Sequence, residues 1–170
     1  MDLQNVFTNS HESLGELSQE RPVVLIFLRH FGCIFCREAL HDIAEKQDKI
    51  EANNAKLVFV HMAENDIADH YFKEYGLKGV SHISNPSCSL YAEFGLSKGT
   101  FGQLFGLKTW IRGYQIKKKG IEGSLKQIGD SLQMPGIFIL FDNKIVDSYI
   151  HKNASDRPDY DKLIACCEIN

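Results

Sequence analysis

The feature that most limits the fold is an apolar run that passes directly into a helical pattern. Residues 23–28 read VVLIFL, with β-branched or aromatic side chains at most positions. A continuous run of this kind is typical of a strand buried on both faces of a parallel sheet. From Cys36 onward the less polar residues recur at helical spacing, and the stripe contains Cys36, Leu40, Ile43, Gln47 and Ile50. A buried strand therefore leads into a helix near residues 29–36.

The charged residues of this helix lie outside the apolar stripe. They are Arg37, Glu38, Asp42, Glu45 and Lys49. Because the stripe faces the core of an amphipathic helix, we expect these side chains to lie away from the core.

The alternation of strand and helix continues along the chain. We predict strands at residues 23–28, 56–62, 80–84, 136–141 and 144–150. We predict helices at residues 36–50, 67–75, 88–94 and 163–166. The first strands alternate with helices, which predicts parallel pairing, and the Asp142–Asn143 turn predicts an antiparallel hairpin of the last two strands. The fold class is therefore α/β, with a central mixed β-sheet flanked by helices.

The chain has the length and composition of one compact unit. Its 170 residues are 44% hydrophobic and 24% charged, which is typical of one globular domain over residues 1–170. Residues 1–20 form a lead-in segment, and residues 96–133 form an irregular insertion with short helices. We expect the aromatic residues of the insertion, including Trp110, to anchor it to the domain; the alternative is that they line a substrate groove.

Charge and cysteine content restrict the partners and the compartment. The formal net charge is -3, so there is no basic excess for a nucleic-acid partner, and the lysines at 117–119 are expected to form a solvated surface. The sequence has neither the start of a secretory signal nor an apolar run of membrane-spanning length. Five cysteines, an odd number, favour reduced thiols. We therefore expect a cytoplasmic protein with no membrane partner.

Two cysteines stand three residues apart where the first strand meets its helix. Cys33 lies at the helix start, where the macrodipole and free N–H groups lower a thiol pKa from ~8.5. Cys36 lies one turn later, near enough to attack a mixed disulfide on Cys33. Arg37, together with Arg29 and His30, adds positive charge or hydrogen bonds that favour the thiolate. The pair is therefore a candidate redox dithiol.

Two other interpretations of the cysteine pair remain. The two thiols could be half of a zinc site, with His30 and Cys88 as further candidates, or they could be packed core thiols without chemistry. We predict no metal and no cofactor. Cys88, Cys166 and Cys167 lack motif context and are interpreted as packed or incidental thiols.

One extended motif resembles a known family. Residues 27–38 read FLRHFGCIFCRE and residues 91–95 read YAEFG. These motifs and the element order over residues 23–166 are similar to thioredoxin-like proteins of the peroxiredoxin-like, selenoprotein-U-related branch of the AhpC/TSA superfamily. The resemblance implies a thioredoxin-like fold and dithiol or peroxide chemistry. It also implies that Pro135, after Met134, takes the place of the proline that thioredoxin folds hold in cis beside the dithiol.

The sequence departs from the peroxiredoxin motif Pro-x-x-x-Thr-x-x-Cys. If Cys36 were the peroxide-reactive residue, the motif would require Pro at Arg29 and Thr at Cys33. Thioredoxin chemistry makes Cys33 the attacking thiol, whereas superposition of the peroxiredoxin motif makes it Cys36. We favour Cys33 and keep both assignments open.

The function expected from these residues is thiol–disulfide oxidoreduction with an antioxidant or disulfide-reducing role. No G-x-G-x-x-G motif follows a strand, so thioredoxin or glutathione is the expected reductant, and a disulfide or a peroxide is the expected substrate. One alternative is a peroxiredoxin-like peroxidase that reduces hydrogen peroxide or alkyl hydroperoxides. Another is a redox-sensing binding module without turnover. The oligomeric state stays open.

Overall fold

The computed structural model describes residues 2–123 and 128–167, and a mixed five-stranded sheet lies at its centre. The strands are β1 (Val23–Phe27), β2 (Lys56–His61), β3 (Ser81–Ser84), β4 (Gly136–Phe141) and β5 (Lys144–Ile150). Their order is β3-β2-β1-β4-β5. β1, β2 and β3 run parallel, whereas β4 is antiparallel to both β1 and β5. The predicted mixed sheet and the terminal hairpin are confirmed.

Helices lie on both faces of this sheet. They are α1 (Leu14–Glu20), α2 (Ile34–Ala44), α3 (Gln47–Ala52), α4 (Asn65–Glu74), α5 (Ser89–Glu93), α6 (Phe101–Phe105), α7 (Leu107–Lys118) and α8 (Tyr160–Ala165). The helix predicted over residues 36–50 is in fact two helices, α2 and α3, and the turn between them keeps Ile50 in the core. No helix in the described part of the chain has both the length and the apolar character needed to cross a bilayer.

The core has two layers because the side chains of β1 alternate between the faces of the sheet. Val24 and Ile26 face a layer that includes α2, α4 and α8. Leu25 and Phe27 face the other layer, which includes α1 and α5. Every residue of β1 is buried, which explains why its sequence shows no polar alternation. The central strand thus fixes the position at which α2 begins.

Two charged residues of α2 do not lie away from the core as predicted. Glu38 and Asp42 are buried, with 5% and 6% of their surfaces exposed. Arg112 of α7 binds Glu38, and Arg157, which precedes α8, binds Asp42 at 2.7 Å through two nitrogens. The prediction for Glu38 and Asp42 is wrong because the insertion and the C-terminal segment cover this face of α2 with matching positive charges.

The insertion contains the two helices α6 and α7. Leu104 and Ile116 are its buried anchors, whereas Phe101 and Trp110 are 79% and 73% exposed. The prediction that the aromatic residues anchor the insertion is therefore wrong for these two side chains, because aliphatic residues occupy the inward positions of both helices. Residues 124–127 of the predicted insertion lie outside the described residues.

Candidate active site

The site forms where β1 ends and α2 begins. Cys33 is the N-cap residue of α2 and Cys36 lies in its first turn. Both thiols are free and buried, and a side-chain hydrogen bond joins them. The structure thus brings together the two sulfurs that the sequence singled out.

A buried arginine contacts one of the two sulfurs. Arg29 places Nη1 3.5 Å from Sγ of Cys33, and its Nε donates to the carbonyl oxygen of Ser131 at 2.8 Å. The second bond ties the guanidinium to the chain just before β4. A positive charge is therefore held in place beside Cys33.

The environment sets the pKa values of the two thiols in opposite directions. The pKa of Cys33 is lowered, first by the hydrogen bond from Cys36 and then by the Arg29 charge and the nearby N–H groups of Phe35 and Cys36, which together outweigh the opposing effect of burial. The pKa of Cys36 is raised well above its ordinary value by its hydrogen bond to Cys33, by burial and by the negative charge on Cys33. These directions favour the thiolate form of Cys33 and the protonated form of Cys36; a thiolate is the nucleophilic form of cysteine.

His30 does not add the positive charge that its position suggested. Burial and then the neighbouring charge of Arg29 lower its pKa from 6.5 to about 4. The imidazole is consequently neutral at pH 7, and its buried Nδ1 has no hydrogen-bond partner among the described residues. The expectation of a positive charge on His30 is therefore wrong, whereas the hydrogen bond that was its alternative stays a prediction.

Arg37, a predicted site residue, points away from the sulfurs. Its Nε donates to the carbonyl oxygen of Phe31 at 2.9 Å and its Nη1 to that of Glu122 at 3.0 Å. The guanidinium also lies 5.5 Å from the centre of the Tyr71 ring. Since these partners use its donors, Arg37 connects the loop before Cys33 to the insertion, and Arg29 is the arginine beside the thiolate.

Two spaces meet at Cys33. An outer groove of about 580 Å³ is mostly apolar, and its lining includes Cys33, Phe35, Leu104, Phe105, Trp110 and Tyr114. An inner cavity of about 30 Å³ is lined by Cys33, Cys36, Pro135, His151 and Tyr160, among others. The inner cavity is large enough for about one water molecule. Cys33 borders both spaces, whereas Cys36 borders only the inner cavity.

Pro135 lies where the family resemblance places it, although its peptide bond differs from the expected form. It lines the inner cavity together with both sulfurs. Every peptide bond among the described residues is trans, including the bond from Met134 to Pro135. The cis expectation is therefore wrong for this chain, which keeps the form that an X–Pro bond ordinarily prefers.

The remaining cysteines lie apart from the outer groove and the inner cavity. Cys88 Sγ is 3.2 Å from Met62 Sδ, and Cys166 Sγ donates to Asp147 at 3.1 Å. Burial raises the pKa of Cys88, and it raises that of Cys167 to about 11. These thiols are therefore less ionised than ordinary cysteines, in agreement with their interpretation as packed or incidental residues.

One set of possible metal ligands occurs in residues 2–123 and 128–167. It consists of His41, Asp42 and Glu45. Asp42 already binds Arg157 through both of its oxygens, and the set includes neither Cys33 nor Cys36. The zinc interpretation of the cysteine pair has no third ligand in this part of the chain.

The sequence interpretation missed part of the groove. Phe35 and Tyr114 line it, although neither was singled out as a groove residue. A substrate groove lined by Trp110 was the alternative to anchoring; the structure places Trp110 in the lining of this groove, and its use by a substrate stays a prediction. The helical spacing of residues 107, 110, 111 and 114 could have predicted α7, but it does not reveal which helix face meets Cys33.

The chain is similar in sequence to several known proteins. No protein-family model matches the chain. It is 28% identical over 165 residues to thioredoxin-like protein AAED1, chloroplastic, of Arabidopsis thaliana, with 91% of this chain and 65% of that protein covered. It is 27% identical over 168 residues to prostamide/prostaglandin F synthase of Danio rerio, with 95% and 81% covered. Peroxiredoxin-like 2C of Bos taurus is 28% identical over 136 residues, with 74% and 58% covered. The chain thus spans less than two thirds of the Arabidopsis and Bos proteins.

Solved structures agree on the fold. A mutant peroxiredoxin 6 of Arenicola marina superposes with a TM-score of 0.63 at 13% identity, covering 96% of this chain and 70% of that one. The bacterioferritin comigratory protein of Xanthomonas campestris gives 0.66 at 13% identity, covering 96% and 88%. The chain is thus similar in sequence to proteins named thioredoxin-like and peroxiredoxin-like, and it has the fold of the solved peroxiredoxin structures.

Proposed function

We propose that the chain is a thiol oxidoreductase in which Cys33 attacks an oxidised substrate and Cys36 resolves the product. The observation that carries the proposal is the position of Cys33 between the outer groove and the inner cavity. A substrate in the groove meets this sulfur first. Arg29 supports the assignment because its charge lies beside the Cys33 sulfur. This charge favours the thiolate, which is the nucleophilic form of cysteine.

With a disulfide substrate, two exchange steps complete the oxidation. The Cys33 thiolate attacks one substrate sulfur, a Cys33–substrate disulfide forms and the other substrate sulfur leaves as a thiolate. Cys36 then loses its proton and attacks the Cys33 sulfur. The second substrate thiolate leaves and the Cys33–Cys36 disulfide forms. The substrate gains two electrons, and the cysteine pair loses two.

An external thiol must reduce the pair before the next cycle. We propose thioredoxin or glutathione for this step, since both are thiols that reduce a disulfide by the same exchange chemistry. Two glutathione molecules or one dithiol protein balance the reaction. The reductant attacks Cys33, because this sulfur borders the outer groove.

Peroxide reduction is a second candidate, and the comparisons favour it. Several relatives are named peroxiredoxin-like, and the Xanthomonas bacterioferritin comigratory protein has an alkyl peroxide reduction activity. Here the Cys33 thiolate attacks the peroxide, the O–O bond breaks, an alcohol or water leaves and a sulfenic acid forms. Cys36 condenses with the sulfenic acid, which releases water and gives the same disulfide.

Three serine variants test the proposal. After treatment with a small disulfide or with hydrogen peroxide, mass spectrometry of the wild-type protein should show a Cys33–Cys36 disulfide. Cys36→Ser should accumulate the Cys33 adduct, and Cys33→Ser should lose turnover in a coupled assay with thioredoxin or glutathione. Cys88→Ser is the matched control and should react as the wild type does.

Each outcome separates the competing functions. A Cys33→Ser protein that keeps full turnover would refute the assignment of the attacking thiol. Fast reaction with peroxide and slow reaction with disulfides would favour the peroxidase. Reversible oxidation of the pair without catalytic turnover would instead favour the redox-sensing module.

A further inference from the structure

Helices α6 and α7 present an apolar surface to solvent. It consists of Phe101, Leu107, Trp110, Ile111 and Tyr114, which we call the α6–α7 face. All five are more than half exposed, and Phe101 and Leu107 are the most exposed at 79% and 78%. The last four follow the spacing of one helix stripe, but this stripe faces outward. An exposed apolar patch of this kind marks an interaction surface.

The charge around the α6–α7 face has one sign. Residues 101–119 contain five basic and no acidic side chains. Lys108 pairs with Asp156 and Arg112 with Glu38, whereas Lys117 and Lys118 form no ion pair with any described residue. The surface therefore joins exposed apolar groups to positive charge that has no acidic partner among the described residues.

The lysines also lie close to the aromatic part of the face. Lys118 Nζ is 4.7 Å from the centre of the Tyr114 ring, and Lys119 Nζ is 3.8 Å from a Glu38 oxygen. In a helix that lies in a lipid interface, tryptophan and tyrosine occupy the headgroup level while lysines reach the anionic headgroups. The α6–α7 face has these groups in this arrangement.

We propose that the α6–α7 face docks on an anionic phospholipid surface. A second copy of the chain is a poorer occupant, since a two-fold contact through this face would bring the unpaired lysines of both copies together. Anionic headgroups instead supply the missing negative charge, Trp110 and Tyr114 fit the headgroup level, and the boundary with the acyl chains accepts Leu107. The sequence prediction of no membrane partner rests on the absence of a spanning segment, and a sequence does not reveal which helix face is exposed.

Docking would also orient the proposed active site. Trp110 and Tyr114 belong to the α6–α7 face and to the lining of the outer groove. The mouth of the groove would thus open toward the lipid. This orientation rests on the proposed function, whereas docking itself requires no thiol chemistry.

The chain offers a direct probe, because Trp110 is its single tryptophan. The wild-type protein is mixed with vesicles of phosphatidylcholine and phosphatidylserine, or of phosphatidylcholine alone. We expect a blue shift of tryptophan emission and co-sedimentation with the anionic vesicles. Both signals should weaken on neutral vesicles and at high salt, since added ions screen exposed charges.

Matched variants separate the apolar and the charged contributions. Leu107→Glu should weaken binding by about tenfold or more, whereas Ile145→Glu, at an exposed apolar position on β5, should leave it unchanged. The double variant Lys117→Glu and Lys118→Glu should lose the preference for phosphatidylserine. Its control, Lys73→Glu with Lys78→Glu, changes the net charge equally at exposed sites and should retain the preference.

Three results would overturn the proposal. The first is that tryptophan emission does not shift with anionic vesicles at low salt. The second is that Leu107→Glu binds these vesicles as tightly as the wild type. The third is a dimer in solution that Leu107→Glu dissociates, while the wild-type protein does not bind vesicles. The Cys33→Ser variant should bind vesicles as the wild type does. Failure of the redox function is thereby distinguished from failure of docking.

Discussion

Arg112 Nη2 lies 2.9 Å and 3.1 Å from the two carboxylate oxygens of Glu38, and it joins α7 to the helix that begins at the cysteine pair. The carboxylate is only 7% exposed and the arginine 22%. Water therefore screens the pair weakly, and each partner depends on the other to offset the cost of its burial. This contact holds the wall of the outer groove against α2.

Replacing Arg112 should destabilise the protein strongly. Arg112→Met leaves the Glu38 carboxylate buried without its main partner, so we expect the free energy of unfolding in urea to fall by about 3 kcal/mol. The double variant Arg112→Met with Glu38→Met should recover most of this loss, since no charge remains buried. Lys108→Met removes an exposed lysine of the same helix from its ion pair with Asp156, and it should cost less than about 1 kcal/mol. Equal losses in the single and the double Arg112 variants would contradict this account.

Arg29 should control the ionisation of Cys33. Arg29→Met removes the cation 3.5 Å from the sulfur, and we expect the apparent pKa of Cys33 to rise by about one unit. Alkylation by iodoacetamide at neutral pH should slow accordingly, and its pH profile should move to higher pH. Arg37→Met is the control, since Arg37 binds backbone carbonyls elsewhere. A profile that moves equally in both variants would count against a specific role for Arg29.

The outer groove should determine which reagents reach Cys33. A Cβ added at Gly113 would lie 3.8 Å from Cζ of Phe35, so Gly113→Phe places a ring in the groove next to its wall. We expect slower reaction with a bulky aromatic disulfide and little change with methyl methanethiosulfonate, because only the larger reagent needs the filled volume. Gly102→Phe, at an open position of α6, should affect neither rate. Equal slowing of both reagents by Gly113→Phe would indicate damage to the site itself.

Stability should decrease with acid because of His61. Burial and then the charge of His82 lower its pKa from 6.5 to about 3, and its Nε2 lies 2.8 Å from Nδ1 of His82. The unfolded chain takes up this proton at higher pH than the folded chain, so the contribution is complete above pH 6.5 and is lost as the pH falls toward 3. The slope for one histidine is roughly 1.4 kcal/mol per pH unit.

Urea unfolding at pH 7, 6 and 5 measures this slope. His61→Phe should give a shallower decrease, because the buried group that resists protonation is gone. His70→Gln replaces an exposed histidine and should follow the wild-type slope. If His61→Phe and the wild type showed the same slope, His61 would not be the source of the acid sensitivity.

The sequence predicted the features that are encoded locally. β1 is recognisable because all of its residues are apolar, and the placement of Cys33 and Cys36 follows from the strand-to-helix junction. The burial of Glu38 and Asp42 could not be predicted, since their arginine partners lie 74 and 115 residues away along the chain. Pro135 was placed beside the sulfurs only through the family resemblance.

The charge state and the exposure of side chains also depend on contacts that the local sequence does not encode. Arg29, His30 and Arg37 look equivalent as nearby basic residues, but burial neutralises His30 and carbonyl partners direct Arg37 elsewhere. The outward stripe of α7 has the spacing of a core-facing helix. Its orientation depends on which side packs against α2, and this is a property of the tertiary structure.

The arrangement of Cys33 and Cys36 also sets the order of catalytic events under the proposed chemistry. Only Cys33 borders the outer groove, so the oxidant and the reductant must approach one sulfur through one opening. They cannot occupy it together, and one must depart before the other arrives. Turnover would then follow ping-pong kinetics, with each reactant in excess inhibiting the half-reaction of the other.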